Sequence, residues 1–195
     1  MSGTIGFYDQ NAEDFFNRSV DADMARGHAD FTALVPPGGR ILDAGCGSGR
    51  DSLAFAKLGF QVTPIEASAK LAALAVAHTG LPVEVMTFDE VAWREAFDGV
   101  WACASLLHVP RAGLPAAVTR LREALVPGGI LWMSFKYGAE ERYANGRHFT
   151  DLDEAGAGLL IEAAGGLELI SLTVSDDARE DRPGEQWLSV LCRRA

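Results

Sequence analysis

Strand-like and helix-like segments alternate along the chain from position 40 onward. Short apolar runs bounded by glycine or proline predict buried strands at 40–44, 60–65, 81–87, 97–104 and 130–135. Longer segments with helical character predict helices at 51–58, 68–78, 113–125 and 151–164. Because parallel strands need a crossover between them, this order predicts a mostly parallel sheet with helices on both faces.

The last two apolar runs break this alternation. Segments 167–174 and 186–192 are predicted to be strands, and an acidic loop rather than a helix joins them. Strands joined in this way pair as antiparallel neighbours, so we expect a hairpin at one side of the sheet. The predicted fold class is therefore α/β, with a Rossmann-like sheet of seven strands that is mostly parallel and ends in a C-terminal antiparallel hairpin.

The residues before the sheet are predicted to be helical. Segments 12–20 and 24–35 have helical character, and Pro36-Pro37-Gly38-Gly39 then ends any helix. A chain of 195 residues is the size of one domain. We therefore expect residues 1–195 to fold as a single domain.

Charge and composition limit the partners and the compartment. The formal net charge of −10 repels a phosphate backbone, and basic residues cluster only in short groups, so we expect no nucleic-acid partner. No run approaches the roughly 18 apolar residues of a membrane span, and residues 1–7 lack the features of a secretory signal. The three scattered cysteines fit neither a disulfide framework nor a metal site. We expect a cytoplasmic protein with no membrane or metal association.

A glycine-rich loop follows the first predicted strand. The run Asp43-Ala44-Gly45-Cys46-Gly47-Ser48-Gly49-Arg50 carries glycine at three alternate positions and then passes into a helix. Glycine tolerates positive φ and lets a ligand approach the backbone closely. In a doubly wound sheet this loop lies at the carboxyl edge of the strands, where ligands bind.

An acidic residue, Glu66, ends the second predicted strand, 23 positions after Asp43. A carboxylate there can accept hydrogen bonds from both hydroxyl groups of a ribose. The loop and the acid together predict a nucleoside ligand, which is either NAD or S-adenosylmethionine (SAM). Arg50 stands where the dinucleotide pattern has its third glycine. Asp43 would repel a pyrophosphate but can face the ammonium group of a methionine, so these residues and the final hairpin favour SAM.

Over residues 36–192 the sequence resembles the class I SAM-dependent methyltransferases. Residues 42–49 are similar to the first motif of that family, residues 98–101 to its fourth strand, and residues 125–129 to the turn before its fifth strand. Gly49-Arg50-Asp51-Ser52 resembles the small-molecule and tellurite-resistance branch. The resemblance implies SAM as the cofactor and S-adenosylhomocysteine (SAH) as the product.

The same resemblance implies which residues contact the cofactor. It assigns the adenine to Phe88 and Asp89, and the methionine group to Asp43, Gly45 and Ala104. Further cofactor contacts are expected at Cys46, Gly47, Arg50, Glu66 and Ala67.

Related enzymes place an N-terminal lid over the cofactor. The resemblance therefore implies a helical lid at 1–35 over a SAM-binding α/β core at 36–195. Tyr8 would face the sulfonium cation, which aromatic faces attract, and Arg18 or Arg50 would pair with the methionine carboxylate. A plain amphipathic helix is the alternative.

His108 follows the fourth predicted strand, at the edge of the sheet where the cofactor is expected. It is a candidate general base for a hydroxyl or amine acceptor. The alternative is a structural imidazole that holds the loop before Pro110.

Four polar residues are predicted to lie in the loop after strand five, over the edge where an acceptor must arrive. They are Lys136, Tyr137, Arg147 and His148. Together they could hold an anionic acceptor, whereas each alone is an ordinary loop residue. The sequence thus predicts a SAM-dependent methyltransferase for a small-molecule acceptor of anionic or soft character. An NAD-dependent oxidoreductase and a non-catalytic SAM-binding module stay open, as do the identity of the acceptor and the oligomeric state.

Overall fold

Nine strands lie within the part of the chain that the computed structural model describes, residues 2–178 and 184–195. They are β1 Arg40–Ala44, β2 Gln61–Glu66, β3 Glu84–Val85, β4 Phe97–Ala102, β5 Leu125–Lys136, β6 Glu141–Ala144, β7 Arg147–Thr150, β8 Leu167–Asp176 and β9 Gln186–Arg194. Seven of them form one sheet in the order β3-β2-β1-β4-β5-β9-β8, and β6 pairs with β7 separately. In the large sheet β9 runs antiparallel to both of its neighbours, and the other pairs are parallel. The predicted α/β sheet with a terminal antiparallel hairpin is confirmed.

Seven α-helices lie within the same described residues. They are α1 Ser2–Gln10, α2 Ala12–Ser19, α3 Ala25–Thr32, α4 Arg50–Lys57, α5 Ala69–Thr79, α6 Leu114–Ala124 and α7 Glu154–Ala164. Short polar residues begin two of them, since the Ser68 hydroxyl accepts the Leu71 N–H at 3.2 Å and Asp153 Oδ1 accepts the Gly156 N–H at 2.7 Å. These bonds satisfy N–H groups that have no partner within the first turn of a helix.

The core lies on both faces of the sheet because successive side chains of a strand point to opposite sides. On β1, Leu42 belongs to the larger apolar cluster, which includes the buried faces of α6 and α7. Its neighbour Ile41 belongs to the opposite cluster, which contains Phe31 from α3 and Phe55 from α4. Burial on both faces explains why the inner strands are continuous apolar runs.

Three segments differ from the elements predicted by the sequence. The strand predicted at 81–87 is reduced to Glu84–Val85, an edge strand that pairs only with β2. The polar loop predicted after strand five instead contains the β6–β7 hairpin. Strand β5 begins at Leu125, before its predicted start at 130. Part of the predicted acidic loop, residues 179–183, lies outside the described residues.

No helix in the described part of the chain has the length and apolar character needed to cross a membrane.

Candidate functional site

The glycine-rich loop turns sharply after β1. The N–H groups of Gly45 and Cys46 both donate to the carbonyl oxygen of Ile65, each at 2.9 Å, which holds the loop against the end of β2. Gly45 has a φ of +87°, and a Cβ added to it would lie 2.5 Å from the Cβ of Ser105. Only glycine fits at this position, because both the backbone angle and the space exclude a side chain.

Glu66 lies at the end of β2 with both carboxylate oxygens engaged by backbone donors. Its Oε2 accepts the Gly47 N–H at 3.0 Å, and its Oε1 accepts the Ser68 N–H at 2.9 Å. Burial raises the pKa of Glu66, and these hydrogen bonds oppose the rise. Because each carboxylate oxygen has two lone pairs, Glu66 can order the loop and still accept further hydrogen bonds from a ligand.

A cavity of about 480 Å³ lies above this edge of the sheet. Its floor includes the glycine loop, the end of β2 and the loop after β4, while residues of α1 and α2 line it as well. This volume falls in the range of small-molecule sites. Thirteen of the seventeen predicted site residues line it, namely Tyr8, Arg18, Gly45, Cys46, Gly47, Arg50, Glu66, Ala67, Phe88, Ala104, His108, Lys136 and Arg147.

Helix α1 is held over the cavity by hydrogen bonds to three parts of the chain. The Tyr8 hydroxyl lies 2.8 Å from His108 Nε2. The Ser68 hydroxyl donates to Asp9 Oδ1 at 2.6 Å, and the Thr4 hydroxyl accepts the His148 N–H at 3.0 Å. The N-terminal segment is therefore an integral wall of the site.

The hydrogen bonds of His108 determine its tautomer. Its Nδ1 lies 2.7 Å from the backbone carbonyl oxygen of His148, which can only accept, so Nδ1 carries the proton. Nε2 then presents its lone pair and accepts the Tyr8 O–H. Burial lowers the pKa of His108 to about 4, the bond to the carbonyl opposes this shift, and the charge on Arg147 adds to it. The imidazole is therefore neutral at pH 7 and has its basic nitrogen toward Tyr8.

Arg147 reaches the cavity from the β6–β7 hairpin. Asn145 and Gly146 form its turn with φ values of +50° and +76°, as a two-residue type I′ turn requires. The Arg147 guanidinium carbon lies 4.5 Å from the centroid of the Phe7 ring and 5.0 Å from that of Phe149. Its Nε is buried without a hydrogen-bond partner.

Arg50 lines the cavity and is already paired within the protein. Its Nε and one terminal nitrogen donate to the two oxygens of Asp51, each at 2.7 Å. Asp51 also lies 2.8 Å from His28 Nε2 and accepts the Trp101 indole N–H at 2.9 Å. Burial would raise the pKa of Asp51, but the Arg50 guanidinium and the bond from His28 outweigh it and hold the pKa below its usual range. This cluster connects α3, α4 and β4 beside the glycine loop.

Four predicted site residues do not line the cavity. Asp43 is buried beneath the glycine loop, where it accepts the Ser52 hydroxyl, and burial raises its pKa. Asp89 and Tyr137 are exposed outside the cavity. The His148 side chain bonds to the Thr150 hydroxyl at 3.0 Å, so this residue reaches the site only through its backbone. None of the four lines this cavity, and their contacts with a ligand stay predictions.

Several cavity residues were missed by the sequence analysis. They include Thr4, Phe15, Met86, Thr87, Ser134 and Trp187. The hairpin that carries Arg147 had a recognisable signal, because Asn145-Gly146 is a strong type I′ turn sequence. The apolar residues of α1 and α2 carried no such signal, since an apolar residue that faces a cavity resembles one that faces the core.

No three histidine, cysteine, aspartate or glutamate side chains are grouped to hold a metal ion in residues 2–178 and 184–195.

Comparison with known proteins shows which proteins this chain is similar to. Residues 41–129, which include the glycine loop and Glu66, match the model of a methyltransferase domain. A ubiquinone biosynthesis O-methyltransferase of Xanthomonas axonopodis pv. citri is 38% identical over 109 residues, 52% of this chain and 44% of that protein. Over residues 41–129 the chain is therefore similar to the methyltransferase-domain family, as the sequence predicted.

Further proteins named as methyltransferases are similar to this chain in sequence or in fold. The corresponding enzyme of Xanthomonas campestris pv. campestris strain B100 is 37% identical over 54% of this chain and 47% of its own. The chain thus spans about half the length of these relatives. The fold of a Burkholderia thailandensis 1,6-didemethyltoxoflavin-N1-methyltransferase, solved with its substrate and SAH, matches 98% of this chain and 87% of that one with a TM-score of 0.80 at 23% identity.

The fold does not by itself assign the reaction. The [4+2]-cyclase SpnF also shares the fold, with a TM-score of 0.71 at 20% identity over 97% of this chain and 94% of its own. The NAD-dependent oxidoreductase alternative is not favoured, because the matched domain model and the matched Xanthomonas relatives are methyltransferases and β9 runs antiparallel within the sheet. The resemblance to the tellurite-resistance branch stays a prediction.

Proposed function

We propose that this protein transfers the methyl group of SAM to an oxygen atom of a small-molecule acceptor and releases SAH. The observation that carries the proposal is the Tyr8–His108 pair. It offers a neutral imidazole in the same cavity as the glycine loop and Glu66. The matched relatives in Xanthomonas are described as O-methyltransferases, and a hydroxyl acceptor is the kind that needs a base.

The cofactor is proposed to lie along the glycine loop. Glu66 would accept the two ribose hydroxyls with the lone pairs that the backbone donors leave available. Phe88 and Met86 line the cavity beyond Glu66, where they would pack against the adenine. The methionine end would run toward Ala104, which lines the cavity after β4 with a φ of +50°. A left-handed backbone is uncommon for alanine and often marks a functional position.

The reaction is proposed as a direct displacement at the methyl carbon. A lone pair of the acceptor oxygen would form the new O–C bond as the C–S bond breaks, and the C–S bonding pair would stay on sulfur, which becomes the neutral thioether of SAH. The acceptor proton passes to the Tyr8 oxygen as the Tyr8 proton moves to His108 Nε2. The protein contributes mainly orientation and exclusion of water, together with this base.

The N-terminal helices are proposed to act as the lid of a single domain. Helices α1 and α2 supply Tyr8, Phe15 and Arg18 to the cavity wall. The bonds of α1 to His108, Ser68 and His148 join it to opposite sides of the site. A ligand must displace or pass this segment to enter, so closure would exclude water from the reaction.

Two measurements test the proposal. Titration calorimetry should show that SAH binds the purified protein and that NAD does not. Labelled SAM should then transfer its methyl group to at least one member of a panel of phenols and catechols, and the parent should turn over faster than the His108→Gln variant. NAD binding without SAH binding would remove the methyltransferase assignment. SAH binding without turnover on any hydroxyl acceptor would favour a SAM-binding module.

A further inference from the structure

Arg147 is held in place by aromatic rings rather than by acidic groups. Its guanidinium carbon lies 4.5, 5.0 and 5.8 Å from the ring centroids of Phe7, Phe149 and Tyr8. None of its guanidinium nitrogens has a hydrogen-bond or carboxylate partner among residues 2–178 and 184–195, and Nε is fully buried. Aromatic faces attract a cation but leave its N–H donors unsatisfied.

The other partly buried cations of the cavity are paired, which makes Arg147 distinct. Arg50 forms two bonds to Asp51, and Lys136 forms an ion pair with Glu185. Arg18, which is exposed, also pairs with Asp14, at 2.8 Å. The protein carries a formal net charge of −10, so acidic groups are abundant. Partial burial of a guanidinium without an acidic partner costs free energy unless a ligand supplies the missing negative charge.

We propose that Arg147 binds a carboxylate of the methyl acceptor. This inference rests on the proposed methyl transfer and specifies the substrate class, a hydroxy acid whose reacting oxygen faces Tyr8 while its carboxylate pairs with Arg147. A planar guanidinium matches a carboxylate with two parallel hydrogen bonds. Since the rings of Phe7 and Phe149 fix the guanidinium, it loses little freedom on binding.

The pairing would also make His108 a better base. Burial and the nearby Arg147 charge both lower the pKa of His108. A bound carboxylate offsets that positive charge, so the affinity of His108 Nε2 for a proton rises when the acceptor is in place. Binding of the correct acceptor and activation of the base are then coupled through one residue.

The experiment compares benzoate with benzamide, which have nearly the same shape but differ in charge. Each is titrated into the protein with and without saturating SAH, using the parent, Arg147→Met, Arg147→Lys and Arg26→Met. Arg26 also lines the cavity but is exposed, so Arg26→Met is the matched control. Melting temperatures verify that each variant is folded, and Arg147→Lys keeps the charge if Arg147→Met fails to fold.

The parent and Arg26→Met should prefer benzoate by about tenfold or more, the size of one charge-assisted hydrogen bond. Arg147→Met should bind the two probes equally, and Arg147→Lys should retain part of the preference because it lacks the planar fork. Equal binding by the parent, or no binding of either probe below about 10 mM, overturns the proposal. So does a loss of SAH affinity beyond about threefold in Arg147→Met, because Arg147 would then serve the cofactor carboxylate. Failure of SAH to bind the parent would remove the proposed function separately, and the titrations without SAH would still test the arginine.

Discussion

The Tyr8 hydroxyl lies 2.8 Å from His108 Nε2, although the two residues are 100 positions apart in the chain. The bond joins the first helix to the loop after β4. It also gives the basic nitrogen of His108 a defined partner at the cavity. Two predictions follow from this pair, one for the rate and one for stability against acid.

Removal of the Tyr8 hydroxyl should slow methyl transfer. In Tyr8→Phe the acceptor proton loses its route to His108, although a water molecule can replace it in part. We expect kcat to fall by about tenfold or more, below the full 10²–10⁴ contribution of a general base. Tyr143→Phe is the matched control, because Tyr143 is exposed on the hairpin and does not line the cavity. Equal rates in the two variants, measured with labelled SAM, would exclude Tyr8 from the proton path.

His108 should make the protein less stable in acid. Its pKa is about 4 in the folded protein and about 6.5 in an unfolded chain, so the unfolded state binds more protons between these values. The neutral His108 therefore costs no stability above pH 6.5. Below that pH the free energy of unfolding falls as the pH approaches 4, by up to about 3 kcal/mol. Urea unfolding of the parent and His108→Gln should show a steeper loss in the parent over this window. His78→Gln, at an exposed histidine, should behave like the parent, and a parallel loss in all three would contradict the shift.

Glu66 should determine both the affinity for the cofactor and the order of the glycine loop. Glu66→Ala removes the acceptor of the Gly47 and Ser68 N–H groups as well as the proposed partner of the ribose. We expect SAH to bind about 30- to 150-fold more weakly, equivalent to about 2–3 kcal/mol. Glu66→Asp should lose less because it keeps the charge. The control is Glu84→Ala, at an exposed position on β3, and titration calorimetry should find its SAH affinity equal to that of the parent. Parent-like binding by Glu66→Ala would make the ribose assignment wrong.

Ligand binding should protect the N-terminal helices from hydrogen exchange. The bonds of α1 to His108, Ser68 and His148 span the cavity, so a ligand beneath them should make their opening less frequent. Amides in residues 2–19 should exchange more slowly when SAH is added. Those in α7, which contributes no residue to the cavity lining, should not change. If exchange in residues 2–19 does not respond to SAH, these helices do not act as a lid.

Local signals in the sequence were sufficient for the sheet and the cofactor loop. Strand length, glycine spacing and the position of Glu66 at the end of β2 can each be recognised from residues that are close together in the sequence. These features predicted an α/β sheet with a terminal hairpin, and the carboxyl edge of parallel strands predicted where a ligand would lie. The Asn145-Gly146 turn was equally local, and the hairpin it forms could also have been predicted from it.

The sequence by itself determined the fold class, the glycine loop and its acidic partner, because each is specified by spacing within one strand–loop–helix unit. Only the tertiary structure decided which side chains are available to a ligand. Arg50 looked suited to a carboxylate but is engaged by Asp51, whereas Arg147 looked like an ordinary loop residue and reaches the cavity unpaired. Whether a charge already has a partner depends on contacts between distant segments, such as that of Arg147 with Phe7 on α1. Such contacts form only when the whole chain has folded, and no local pattern of residues encodes them.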